Sequence, residues 1–151
     1  MKAYLSSSSA NTKKIAGEFA KKVLRLKQKR HATVLGFVGD LGAGKTTFIH
    51  GFLRALGVRK KVTSPTFVLI KRHAVKSKNF KHAYHADSYR LKSPHDFEIL
   101  DFKKIVSSPD NIILMEWAEK VKRLLPKDTI WVTFRHGKDE NERKINLKKK
   151  V

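Results

Sequence analysis

The sequence contains no cysteine, and this absence excludes several kinds of site. Neither a disulfide framework nor a thiolate metal site can form, which suits a reducing compartment. Long apolar runs are missing as well. No segment approaches the roughly 20 apolar residues that a membrane-spanning helix needs, and the N-terminus lacks the apolar stretch of a signal peptide. We therefore expect a cytoplasmic protein without membrane segments.

Acidic residues are scarce, since only 13 Asp and Glu oppose 34 Lys and Arg, giving a formal net charge of +21. Such an excess attracts polyanions, so contact with RNA is one interpretation. The other interpretation is a lysine-rich background composition on a solvated surface. The basic residues are spread along the chain, without the interleaved aromatic residues that stack exposed bases. Charge alone leaves both interpretations open.

Length and composition predict one domain over residues 1–151. A chain of 151 residues with 40% hydrophobic residues can bury a full core, and no linker or repeat divides it. The last residues, 148–151, are expected to form a frayed basic tail.

The stretch from Gly39 to Thr46 satisfies the pattern G-x-x-x-x-G-K-[ST], the phosphate-binding P-loop. Together with Gly42 and Gly44, Gly39 permits backbone angles that let successive N–H groups surround phosphate oxygens. Lys45 supplies a cation to the outer phosphates, and the Thr46 hydroxyl can ligate the accompanying Mg²⁺. This pattern predicts binding of a nucleoside triphosphate.

The segments on either side of the loop support this interpretation. Residues 33–38 form a short apolar run typical of a buried strand, and Gly57 is a plausible stop for the helix that follows the loop. That helix presents apolar residues at helical spacing: Phe48, Ile49, Phe52, Leu53 and Leu56. The order strand, glycine loop, helix directs the helix N-terminus at bound phosphates. The expected fold is α/β, a P-loop NTPase-like mixed parallel and antiparallel sheet flanked by helices.

Periodicity predicts the other elements less sharply. In chain order they are an edge strand at 2–5, a helix carrying Ile15, Phe19, Val23 and Leu26, a hairpin of 67–75 and 80–86, a helix from Ser93 burying Phe97, Leu100 and Ile105, a strand at 111–117, a short helix at 118–125, and strands at 129–134 and 144–147.

An acidic residue ends the most apolar of these strands. Residues 111–117 run Asn-Ile-Ile-Leu-Met-Glu-Trp, so Glu116 follows four apolar side chains. Such a run is often only a core strand followed by a surface acid. In a chain with a P-loop, however, the fold requires a carboxylate beside the magnesium, and Glu116 is the candidate.

Four motifs in one order resemble a known family. They are GDLGAGKTTF from Gly39, SPTF from Ser64, HADSYRL from His85, and the strand ending in Glu116 and Trp117. This combination resembles the small bacterial P-loop ATPases (TsaE, formerly YjeE) needed for threonylcarbamoyladenosine modification of tRNA. The resemblance implies an ATPase that acts with a threonylcarbamoyltransferase and its dimerisation partner (TsaD and TsaB type). The modification falls on the adenosine next to the anticodon, and the ATPase supports turnover of the complex without transferring the group.

The resemblance also assigns roles by position. Asp87 and Thr66 match the family's functional aspartate and its switch-like threonine near the terminal phosphate, and Glu116 with Thr46 would hold Mg²⁺. The expected nucleotide contacts are Gly39, Leu41, Gly42, Ala43, Gly44, Lys45, Thr46 and Thr47, with Ser9, Thr12 and Arg143 as weaker matches. Two positions depart from the family pattern, since Ser88 replaces a usual leucine and Asp101 stands where glycine is common.

Alternatives remain for single residues and for the whole chain. Asp87 could cap a turn, Thr66 could satisfy a backbone group, and Arg90 fits a structural ion pair. A small-molecule P-loop kinase would need an arginine-rich lid, which the short region after residue 117 does not supply. A nucleotide-gated RNA-binding module would suit the charge. The absence of an N-K-x-D sequence disfavours a GTPase, so ATP hydrolysis is the leading expectation.

Overall fold

The computed structural model of the chain describes residues 2–63, 65, 69–93, 95–96 and 101–149. These residues contain seven strands and three α-helices. In chain order they are β1 (Lys2–Ser6), α1 (Ser9–Leu24), β2 (Thr33–Val38), α2 (Lys45–Ala55), β3 (Ile70–Ala74), β4 (His82–Asp87), α3 (Phe102–Ser107), β5 (Asn111–Glu116), β6 (Ile130–His136) and β7 (Arg143–Lys149). A 3-10 segment, Ala118–Leu124, follows β5.

All seven strands belong to one sheet with the order β1-β7-β6-β2-β5-β4-β3. The four central strands β6, β2, β5 and β4 are parallel, whereas β3 and the β7–β1 pair add antiparallel edges. This mixed α/β sheet confirms the predicted fold class. Because β2 is central, the loop that follows it opens at the carboxyl edge of the parallel strands, where α/β folds bind ligands.

Helices α1 and α2 cover one face of the sheet and enclose the larger core. The rings of Phe37, Phe48 and Phe134 pack with centroids 5.6–6.2 Å apart, joining β2, α2 and β6. Helix α1 approaches α2 at Gly51, where an added Cβ would lie 2.6 Å from the Lys13 backbone. Any side chain at residue 51 would therefore force the two helices apart.

Among the described residues, the opposite face is covered only in part. Helix α3 and the 3-10 segment enclose a second, smaller core over β2, β5 and β4. The ring of Trp131 lies against the end of this layer. It is so close to Gly36 that a Cβ added there would lie about 3 Å from both the ring and Ala118. Beyond Trp131, the same face of β6, β7 and β1 carries exposed side chains.

Several predicted boundaries need correction. Strand β7 extends to Lys149 and pairs with β6 there, so the expectation of a frayed tail from Lys148 was wrong for those two residues. Strand β5 ends at Glu116, and Trp117 has left-handed backbone angles (φ 55°, ψ 39°) that end the strand. The described helix of the 93–107 region begins at Phe102, which is buried, while Phe97 and Leu100 lie outside the described residues.

Most of the remaining elements agree with their sequence predictions. Helix α1 buries Ile15 and Val23 but ends at Leu24, so Leu26 lies beyond it. Strand β3 pairs antiparallel with β4 as a hairpin. Strand β1 lies at the sheet edge and, in the described part of the chain, pairs only with β7. Within the part of the chain that is described, no helix is both long enough and apolar enough to span a bilayer.

Candidate nucleotide site

The P-loop joins β2 to α2 and takes the backbone conformation that its glycines permit. Gly39 has φ +147° and lies so close to Phe134 that an added Cβ would meet its carbonyl oxygen at 2.6 Å. Gly44 has φ +98° and forms the N-cap of α2, without a side-chain cap. The N–H groups of the first helical turn therefore point into the loop, where an anion can accept their hydrogen bonds.

Lys45 is the first residue of α2, and its ammonium group turns back over the loop. Nζ donates to the carbonyl oxygens of Gly39 (2.5 Å) and Asp40 (2.7 Å). The same atom lies 4.1 Å from the ring centroid of Trp117, a cation–π distance. Burial lowers the pKa of Lys45, although nearby carboxylates, Glu116 foremost, oppose the shift. The cation is thus held at the centre of the loop.

Glu116 and Thr46 meet beside this lysine. Thr46 Oγ1 donates to Glu116 Oε2 at 2.9 Å and lies 3.2 Å from Oε1. Glu116 reaches the loop because β5 pairs with β2 and places residue 116 opposite Phe37. A hydroxyl and a buried carboxylate in contact are oxygen donors of the type that Mg²⁺ prefers. The structure thereby brings together the two residues that the sequence predicted as metal ligands.

Asp87 lies next to Glu116 on the neighbouring parallel strand. The two are direct register partners of β4 and β5, and both are buried. Asp87 Oδ1 accepts a hydrogen bond from the Tyr89 backbone N–H at 2.8 Å, which orients the carboxylate and turns the chain away from the sheet. The turn-capping role and a chemical role are compatible, because each carboxylate oxygen has two lone pairs.

Ser88 fixes the backbone that follows the acid of β5. Its hydroxyl lies 2.9 Å from the carbonyl oxygen of Glu116 and 2.6 Å from that of Trp117. The Trp117 ring packs against Tyr89 with centroids 5.0 Å apart. The departure from the family's usual leucine at residue 88 therefore adds polar contacts to this edge and leaves the acidic groups in place.

The weaker sequence matches fall into two groups. Arg143 lies beside the loop, since its Cγ is 3.8 Å from where a Cβ on Gly44 would stand. Thr12 is buried, and its hydroxyl bonds to that of Ser6 (2.7 Å) rather than facing solvent. Ser9 is exposed in the first turn of α1. Arg143 Nη1 donates to the carbonyl oxygens of Glu140 (2.5 Å) and Glu142 (2.9 Å), so its contact with a ligand stays a prediction, whereas the bond to Ser6 gives Thr12 a structural contact.

Thr66 and Asp101 are the other two positions that the sequence singled out. Thr66 lies outside the described residues, so its assignment stays a prediction. Asp101 precedes α3 with φ +53°, a left-handed angle that glycine adopts without strain. This explains why glycine suits residue 101.

Sequence reasoning missed His85, which contacts the candidate metal-binding acid. Its Nε2 lies 2.7 Å from Glu116 Oε1, and its side chain is fully buried. Strand alternation offered a signal, because His85 stands two residues before Asp87 and so shares its face of β4. A buried polar side chain needs a hydrogen-bond partner, and the carboxylate of Glu116 provides one for His85.

Two further histidines lie near His85. Burial, with His85 and Lys13 nearby, lowers the pKa of His50 on α2. Burial, with His85 and Lys71 nearby, likewise lowers the pKa of His73 on β3. Both shifts disfavour the protonated, charged form of these imidazoles.

The donor set fits a magnesium–nucleotide complex. Backbone N–H groups and Lys45 suit phosphates, while the Thr46 hydroxyl and the Glu116 carboxylate suit a hard cation. No group of three or more His, Asp or Glu suited to holding a metal occurs among the described residues. Magnesium in P-loop sites is generally held by one or two side chains and the substrate's phosphates. Fold and site together define a P-loop nucleotide-binding protein.

Comparisons with known proteins identify the family. The family described as "Threonylcarbamoyl adenosine biosynthesis protein TsaE" matches residues 6–145. The tRNA threonylcarbamoyladenosine biosynthesis protein TsaE of Haemophilus influenzae is 35% identical over 122 residues, covering 81% of this chain and 74% of that protein. Its counterpart in Rickettsia prowazekii is 34% identical over 140 residues, covering 92% of each chain.

A solved structure gives the same result for the fold. The crystal structure of Bacillus subtilis YdiB superposes with a TM-score of 0.74 at 28% identity, covering 97% of this chain and 83% of that one. The chain belongs to the TsaE family of threonylcarbamoyladenosine biosynthesis proteins, as the four sequence motifs indicated.

Proposed function

We propose that this protein binds and hydrolyses Mg²⁺–ATP at the P-loop, and that hydrolysis supports threonylcarbamoyladenosine formation on tRNA. The observation that carries the proposal is the contact of Thr46 with Glu116, with Asp87 as the register partner of that acid. The names of the relatives supply the pathway. By family resemblance, the protein acts with a threonylcarbamoyltransferase subunit and its dimerisation partner, of the TsaD and TsaB type.

Each side chain has a separate task in this proposal. The loop N–H groups and Lys45 bind the phosphates, and Thr46 with Glu116 holds the cation. Bound Mg²⁺ supplies positive charge that neutralises the β- and γ-phosphate oxygens. Asp87 orients a water molecule and accepts its proton as the water oxygen bonds to the terminal phosphorus and the bond from that phosphorus to the ADP oxygen breaks. Arg143 and Ser9 are assigned to nucleotide contacts, and Thr66 to the terminal phosphate.

Release of inorganic phosphate tests the proposal directly. We expect slow turnover by the purified protein alone and faster turnover when both partner subunits and tRNA are present, because partners can complete a P-loop site. ATP should be preferred to GTP. Tight Mg²⁺–ATP binding without hydrolysis under any of these conditions would support the gated RNA-binding module instead. Transfer of phosphate to a small molecule would support a kinase.

We also infer that tRNA contacts the uncovered part of the sheet. This open sheet surface consists of residues whose side chains share one face of β6, β7 and β1: Trp131, Thr133, Arg135, Lys144, Asn146, Lys148, Ala3 and Leu5. Of these eight residues three are basic and none is acidic, while two acids, Glu119 and Asp128, line the adjoining pocket. Lys148 is the register partner of Trp131, and Lys122 Nζ lies 6.0 Å from the Trp131 ring centroid. Phosphates can pair with these cations, and a base can stack on the ring.

Charge reversal separates this surface from the general positive field. We expect the double variant Lys144→Glu and Lys148→Glu to bind tRNA about tenfold more weakly or worse. Its affinity should also depend less steeply on salt, because a protein that makes fewer phosphate contacts releases fewer counterions when it binds. Lys14→Glu with Lys21→Glu is the matched control, since both lysines are exposed on α1, across the sheet. Equal losses in both variants would mean that total charge, not this surface, determines tRNA affinity.

A further inference from the structure

His85 contacts the carboxylate of Glu116, the acid that lies beside the P-loop. The imidazole lies on β4 and the carboxylate ends β5, and the two side chains are 0% and 4% exposed. Nε2 and Oε1 are 2.7 Å apart. An ionised carboxylate only accepts hydrogen bonds, so Nε2 carries the proton and donates it to Oε1. Charge-assisted bonds of this kind are among the stronger ones in proteins.

The bond divides the two carboxylate oxygens between two partners. Oε1 accepts from His85, while Oε2 is the oxygen nearer to Thr46 Oγ1, at 2.9 Å. Glutamate has three rotatable side-chain bonds, and contacts at both oxygens fix the plane of its carboxylate. His85 Nδ1 has no hydrogen-bond partner among the described residues, so the ring's single described polar contact is with Glu116.

We propose that His85 is a positioning residue that orients the Glu116 carboxylate for the cation shared with Thr46. This inference rests on the proposed magnesium–nucleotide site. Partners in the outer shell of a metal site commonly change metal affinity about 10- to 100-fold when they are removed. His85 acts on the cation only through Glu116. Its loss should therefore weaken metal binding while leaving the phosphate-binding loop intact.

Two substitutions at this position separate orientation from packing. His85→Leu keeps an apolar volume but removes the donor, whereas His85→Gln retains an N–H group. We expect His85→Leu to weaken Mn²⁺ affinity in the complex with a non-hydrolysable ATP analogue about 10- to 100-fold, measured by electron paramagnetic resonance. Nucleotide affinity in EDTA should stay within about twofold of the wild type. His85→Gln should recover most of the metal affinity.

His73→Leu is the matched control. His73 lies on the same face of the neighbouring strand β3, and its Nε2 also lacks a hydrogen-bond partner among the described residues. Its removal should leave Mn²⁺ affinity unchanged. If His85→Leu fails to fold, which urea denaturation would reveal, His85→Asn takes its place, because its shorter side chain cannot span to Oε1.

The outcomes distinguish this inference from the function on which it rests. A wild-type protein that binds no Mn²⁺–nucleotide would contradict the proposed function itself. If folded His85→Leu, or His85→Asn in its place, binds Mn²⁺ as tightly as the wild type, only the role of His85 is overturned. A parallel loss of nucleotide affinity in EDTA would overturn it too, since the histidine would then maintain the site's structure. Selective loss of Mn²⁺ affinity with recovery in His85→Gln supports the inference.

Discussion

Asp87→Asn should lower ATP hydrolysis by roughly 100-fold or more, measured with the partner proteins present, while Mg²⁺–ATP binding stays within a few-fold of wild type. Asparagine retains the shape of the side chain and can still accept the Tyr89 N–H bond through its carbonyl oxygen. It cannot take a proton from the attacking water. The substitution therefore removes general-base chemistry and preserves the local turn.

Glu116→Gln should behave differently, although residue 116 lies beside residue 87 in the sheet. The amide removes a negative charge from the cation-binding pair with Thr46, so the magnesium dependence of nucleotide binding should disappear and turnover should fall. Nucleotide titrations with Mg²⁺ and with EDTA measure the first effect, and phosphate release measures the second.

Two conservative substitutions serve as controls for this pair. Asp110→Asn affects an acid paired with Lys81 (2.9 Å) at the opposite end of β5, and Glu18→Gln affects an exposed residue of α1. Neither should alter binding or turnover. If Asp87→Asn loses magnesium-dependent binding and Glu116→Gln retains it, the two roles are reversed. Normal turnover in both variants would refute hydrolysis at this site.

Lys45→Ala is expected to weaken ATP affinity about 100-fold, because hydrogen bonds to charged groups contribute roughly 1.5–3 kcal/mol. In the structure the ammonium group bonds to the carbonyl oxygens of Gly39 and Asp40. The bulk of the core lies elsewhere, so the free energy of unfolding should change little. Isothermal titration with ATP and urea denaturation measure the two quantities.

Lys78→Ala provides the comparison, since Lys78 is an exposed lysine in the turn between β3 and β4. It makes the same change in net charge at a distance from the loop. Unchanged ATP affinity in a folded Lys45→Ala protein would mean that the P-loop is not the nucleotide site. An equal loss in both variants would assign the effect to overall charge.

The sequence by itself determined the fold class, the P-loop and which residues are candidates for the site. These features depend on local signals: glycines at Gly39 and Gly44, apolar periodicity in α1 and α2, and an acid ending a buried run at Glu116. Each is specified by residues close together in the chain. Backbone angles and helical periodicity can be read from a short stretch of sequence, without reference to residues far away in the chain.

Only the tertiary structure decided which side chains meet. The contacts of Glu116 with His85 and Thr46 join residues 31 and 70 positions apart. They arise because β5 pairs between β2 and β4, a register that local periodicity does not specify. The pairing of Lys148 and Lys149 with β6 depends on the same kind of long-range contact. Strand pairing joins residues that are far apart in the chain, so it decides where the acidic side chains lie relative to one another. Which residues are acidic is already given by the sequence.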